Sequence, residues 1–146
     1  MALLAVAMQD GSVAIFNSRG QSMTPTGSGR LTNSGGSGGA SALAWHPESL
    51  LLAVGWQDGN LGFFAFTEQG AFHYRSSCRR YHMAEMSITH WTPVGDQLLC
   101  GDVMGRLSMW RIQRHSDVAM DWDAEKVRLI TTYTFRFSLD IGCITL

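Results

Sequence analysis

Residues 51–64 read LLAVGWQDGNLGFF and repeat residues 3–16, LLAVAMQDGSVAIF, with no gap and eight of fourteen positions identical. A weaker third copy, QLLCGDVMGRLSMW, spans residues 97–110 and keeps Leu98, Gly101, Gly105 and Leu107 in step, with Trp110 at the aromatic position. The second and third copies also match upstream. LAWHP at residues 43–47 answers THWTP at residues 89–93, so Trp45 corresponds to Trp91 and Pro47 to Pro93. The copies are offset by 48 and then 46 residues. A period of that size marks a chain built from one repeated supersecondary unit.

Each unit has the same predicted anatomy. A short apolar strand, Ser41 to Trp45, stops at His46-Pro47, because proline cannot donate to a ladder. A second strand, Leu50 to Trp56, is apolar on both faces, as a strand sandwiched between neighbouring sheets must be. The turn Gln57-Asp58-Gly59-Asn60 follows, and Asp-Gly supplies the left-handed backbone a hairpin needs. Leu61 to Phe66 returns as a third strand, and Gly70 to Arg75 is expected to add a fourth. Four short antiparallel strands per unit make the blade of a β-propeller. The predicted fold class is all-β, a partial propeller with two nearly complete four-stranded blades and partial blades on either side.

Two segments depart from the pattern. Residues 24–41, rich in Gly and Ser, read as a loop between blades. Residues 113–126 carry Arg114, His115, Asp117, Asp121, Asp123, Glu125 and Lys126, and are expected to form a polar hairpin loop before an outer strand from Val127 to Phe137. The expected organisation is a partial blade over 1–23, the loop over 24–41, blades over 42–87 and 88–140, and the start of another over 141–146. Closed propellers have about four to eight blades, so the chain is expected to be a fragment of a longer protein.

Composition narrows the function classes. The 146 residues are 45% hydrophobic with a formal charge of -1, which supports a packed core and gives no broad pull toward nucleic acid or anionic membranes. Cys78, Cys100 and Cys143 are odd in number and form no CxxC pair, which favours a reducing, intracellular setting. The apolar start, Met1 to Met8, lacks a basic leader and ends at a Gln9-Asp10-Gly11 turn. No run reaches the roughly 18 to 20 apolar residues of a membrane span.

The units resemble WD repeats, although Phe16, Phe64 and Trp110 are followed by Asn17, Ala65 and Arg111 where that family has aspartate. Asp10 and Asp58 match the family's turn aspartate. Met104 stands there in the third copy, which argues against the hydrogen-bonded network of WD blades in that unit. ALAWHPESLLLAVGWQDGNLGFF, residues 42–64, and HWTPVGDQLLCGDVMGRLSMWRI, residues 90–112, together resemble the first propeller of the intraflagellar transport protein 140 family. That resemblance covers about half of the chain and leaves out the glycine-rich loop. It implies membership of complex A in the cilium or flagellum and at its basal body and in the cytoplasm. It also implies a role in retrograde ciliary transport, with other complex A subunits and ciliary cargo proteins as partners. A scaffold of another transport or coat complex, or an RNA-associated propeller, is the alternative.

Candidate chemistry is sparse. His73, Cys78, His82 and His90 could suggest zinc, but the spacing is irregular and a single sulfur is present, so ordinary loop and strand-end residues are the better reading. No cofactor, metal or catalytic residue is expected: no nucleophile elbow, phosphate loop or HExxH motif is present. His46 reads as a strand-end residue bonding within its own blade. Trp45, Trp56, Trp91 and Trp110 recur in the repeat frame and read as core. Arg75, Arg79 and Arg80, interleaved with Tyr74 and Tyr81, are the candidate partner contacts, and nucleic acid is not expected given the balanced charge.

Overall fold

The computed structural model describes residues 2–23, 30–33, 36–66, 72–78, 82–114 and 122–134. Among them the chain is all-β, in three antiparallel sheets. The first pairs β1 (Leu3–Ala7) with β2 (Val13–Asn17). The second is β3 (Ala40–Trp45), β4 (Leu51–Trp56), β5 (Leu61–Phe66) and β6 (Phe72–Cys78), each beside the next. The third repeats that order with β7 (Met86–Trp91), β8 (Gln97–Asp102), β9 (Arg106–Arg114) and β10 (Trp122–Thr134).

The repeat holds down to single bonds. Gly11, Gly59 and Gly105 close equivalent hairpin turns with φ of 86°, 84° and 82°, where a side chain would be strained. The first strand of each larger sheet slips register at the same place, between Ala40 and Ala42 and between Met86 and Ile88. The residue at each slip donates its hydroxyl across the ladder: Ser41 to the Gly55 carbonyl and Ser87 to the Gly101 carbonyl, both at 3.3 Å.

Alternation along β4 and β5 explains why every residue there is buried. Leu52, Val54, Trp56, Phe64 and Phe66 pack with Val13 and Ile15 of the first sheet. Leu51, Ala53, Leu61, Phe63 and Ala65 pack with Met86, Trp91, Leu98, Cys100 and Trp110 of the third. The second sheet is thus a slice between two neighbours. A strand buried on both sides must read as a continuous apolar run. On the far face of the third sheet, Ile88, Leu99, Leu107 and Met109 are only half-buried, whereas their counterparts Ala42, Ala53, Leu61 and Phe63 are buried.

Two expectations are corrected. Residues 122–126 are strand and not loop, since β10 runs from Trp122, and β9 extends to Arg114. An outer strand pairs on one side only, so charged residues do not exclude a segment from it. The fourth strand of the second sheet is Phe72–Cys78, shifted from the expected Gly70 to Arg75. Residues 24–29, 34–35 and 141–146, and with them Arg79 and Arg80, lie outside the described residues.

Candidate functional site

The junction between the second and third sheets is held by His46, Trp91 and Gly95. The Glu48 amide donates to His46 Nδ1 at 3.1 Å, which places the ring proton on Nε2, and Nε2 donates to the Gly95 carbonyl at 2.9 Å. His46 therefore bonds across the junction as well as within its blade, which corrects the purely local reading. A methyl group on Gly95 would fall 2.2 Å from His46 Nε2, so the approach depends on glycine. The Trp91 indole meets the His46 ring edge-on at 4.9 Å and donates from Nε1 to the Ala44 carbonyl at 3.1 Å. Its counterpart Trp45 packs on Phe66 at 5.5 Å, but its buried Nε1 has no hydrogen-bond partner among the described residues.

The third sheet holds a buried polar chain. His82 Nδ1 lies 2.8 Å from Asp102 Oδ2, and its Nε2 lies 2.6 Å from Ser108 Oγ. The Trp110 indole donates to the same hydroxyl at 2.8 Å. Since a carboxylate only accepts, the protons run one way: Trp110 to Ser108, Ser108 to His82, His82 to Asp102. Asp102 Oδ1 takes the Met104 and Arg106 amides at 3.0 Å each, so the chain ends by capping the tight turn.

The order Ser–His–Asp is that of a hydrolase relay, and the surroundings oppose that use. A nucleophile must meet substrate beside an oxyanion site. Ser108 is 0% exposed and its oxygen already accepts the Trp110 proton. The expectation that the third unit lacks a hydrogen-bonded network is overturned. The network rests on Asp102, two positions before Met104. In the second sheet the equivalent positions are Trp56, Gly62 and Phe64, and a methyl group on Gly62 would lie 3.2 Å from Trp56 Nε1, so the indole fills the space the polar chain takes in the third. The sequence signal was present: Asp102, Ser108 and Trp110 with a histidine twenty residues before the aspartate.

The description IFT140 first beta-propeller matches residues 1–136, a span that takes in the repeat, the glycine-rich loop and the network. The chain belongs to that family. The solved structures agree on fold. Sqt1 from Chaetomium thermophilum superposes with a TM-score of 0.68 at 18% identity, over 92% of this chain and 34% of that one. The Cps50 (Swd1) beta-propeller domain of Myceliophteria thermophila gives 0.65 at 11% identity, over 91% of this chain and 41% of that one. The chain thus spans about two fifths or less of these propeller chains. In the IFT140 first beta-propeller chain, as in these folds, the sheets are blades and the His82–Asp102–Ser108–Trp110 chain is a network of the WD type.

Of the other candidates, Arg75 lies in β6 where the register with β5 slips, between Tyr74 opposite Phe64 and Ser76 opposite Phe63. His73 and Cys78 share that strand, His82 is committed to the network, and His90 is exposed on β7. Trp56, Trp91 and Trp110 are buried and Trp45 is half-buried. Among the described residues no three His, Cys, Asp or Glu side chains group as a metal site would require.

Sequence reading missed an open cleft of about 400 Å³ beside the turn of the first sheet, bordered by Asp10, Ser12, Arg30 and Asn33. Asp10 accepts from the Ser12 hydroxyl at 2.6 Å and the Ser12 amide at 3.0 Å, and pairs with Arg30. These contacts, the hydroxyl first, hold its carboxyl below the ordinary 3.8. A depressed carboxyl contributes stability that is present above its unfolded value and lost as pH falls through its folded one. Denaturant midpoints of wild type and Asp10→Asn should therefore differ near neutrality, begin to converge below about pH 4 and meet once pH has fallen through the lowered folded value. A difference unchanged down to pH 2.5 would assign the effect to something other than this carboxylate.

Proposed function

We propose that this chain is a non-enzymatic protein-interaction propeller of intraflagellar transport complex A, acting in retrograde ciliary transport and in carrying membrane-protein cargo. The family match over residues 1–136 carries the reading. The chemistry supports it: the one relay of catalytic type described is closed to substrate, and its protons serve to fix a turn. The partners are other complex A subunits and ciliary cargo, met in the cilium, at the basal body and in the cytoplasm. Arg75, Arg79 and Arg80 are proposed as one contact for acidic partner groups, since arginine pairs carboxylates bidentately. Among the described residues no helix is long and apolar enough to cross a membrane.

The test is affinity purification of the tagged full-length gene product, paired with imaging of cells that lack it. Complex A subunits should co-purify in fixed stoichiometry, and returning cargo should accumulate at the ciliary tip. Recovery of ribosomal or nuclear partners alone would move the chain to another propeller function.

A further inference from the structure

The β8–β9 turn of the third blade breaks the repeat in one respect. Where the first two blades carry Gln9-Asp10 and Gln57-Asp58, the third carries Val103-Met104. Both side chains stand in solvent, Val103 55% and Met104 70% exposed, and Met83 nearby is 77% exposed. Met83 corresponds to Ser37, whose amide bonds the Asp58 carboxylate at 2.9 Å in the second blade. The repeat places Met83 at the position along this turn that Ser37 holds in the second blade, on a segment tied to the turn at Glu85 and His82. The loop and the turn are stitched together from below. The Val103 amide donates to the Glu85 carbonyl at 2.9 Å, while Asp102 holds His82 on one oxygen and the Met104 amide on the other.

The fold does not require apolar residues here, because the same turn is built twice with Gln-Asp. Exposing three large apolar side chains at one turn has a solvation cost with no return in packing, and such patches mark contact surfaces. Methionine is flexible and polarizable and suits a knob that seats in a groove of another protein. Charge narrows the partner. Glu85, exposed at the edge of the patch, favours a basic group opposite and disfavours anionic lipid. Arg106, at the far end of the turn, is engaged within the chain.

We infer that Met83, Val103 and Met104 form a docking knob that enters an apolar groove, flanked by lysine or arginine, on another complex A subunit. The inference rests on the scaffold function proposed above and adds the surface that performs it. The test compares the full-length protein with the triple variant M83S/V103Q/M104D, which installs residues the second blade already uses at these positions. Purified complex A lacking this subunit is the probe. Binding should weaken at least tenfold while the melting transition stays in place. Independently, a photo-crosslinking residue at position 104 of the otherwise wild-type protein should capture one complex A subunit, and the same residue at position 58 should not. The crosslink decides the matter if the variant misfolds. Equal binding by a folded variant, or crosslinks only to a second copy, would overturn the knob and leave the scaffold function standing. Loss of retention on phosphatidylserine vesicles with unchanged subunit binding would overturn it in favour of a membrane contact. A wild-type protein that fails to join complex A would remove both.

Discussion

Asp102→Ala is expected to destabilise the propeller by about 3 kcal/mol or more, since it removes hydrogen bonds to a buried charged group, each of which contributes about 1.5 to 3 kcal/mol. The carboxylate accepts three hydrogen bonds, from His82 Nδ1 and from the Met104 and Arg106 amides. Alanine leaves the His82 donor without that acceptor in the interior, where it has no water in exchange, and releases two part-buried turn amides. The loss should pass along the chain, since His82 then has no reason to keep its proton on Nδ1 and Ser108 loses a defined acceptor. Asp102→Asn keeps an oxygen for the turn amides and should recover part of the loss. Asp10→Ala, at the exposed equivalent turn, should move the midpoint far less. Equilibrium unfolding of the full-length protein, read by tryptophan fluorescence, measures these differences. A double-mutant cycle with His82→Ala should be strongly non-additive. Additive effects would mean that His82 and Asp102 act separately and that the chain is no network.

The second large effect concerns residues 1–146 expressed alone. Ile88, Leu99, Leu107 and Met109 form an apolar face whose counterpart in the second blade is buried against a neighbour. An uncovered face of a few hundred Å² forgoes on the order of 5 kcal/mol at about 25 cal/mol per Å². That reaches the lower end of the whole stability of an ordinary domain, about 5 to 15 kcal/mol. Self-association or a broad, non-cooperative melt is the expected outcome in sedimentation and denaturant unfolding. A monodisperse monomer with a sharp transition would show that these three sheets suffice as a complete domain.

Much of the architecture was legible because its signals are local. Apolar runs bounded by His-Pro and Asp-Gly locate β3, β4 and β5 to within a residue, and the repeat carries that reading to β7, β8 and β9. The network is invisible in a column-by-column match of the repeats. Its aspartate had moved two positions, so Met104 looked like a loss when Asp102 had taken the role. His46 could not have been assigned to the junction, since its partner is a carbonyl 49 residues away that any residue would supply. β10 was misread because polar composition resembles a loop, while an edge strand asks only for backbone pairing. The replacement of the turn aspartate by Met104 was legible as sequence, but the exposure of its side chain was not.

The Trp91 bond to Ala44 gives the row of blades a polarity. The donor stands on the third blade and its acceptor on the second, so the contact has a direction and the row has a distinct head and tail. A two-fold axis relating two copies would set head against head or tail against tail and match no such donor to an acceptor. Only a heterologous arrangement does so, and it closes into a ring or continues as a filament. Association of isolated fragments in this blade-to-blade direction would accordingly run as an open-ended ladder of sizes, without a preferred dimer.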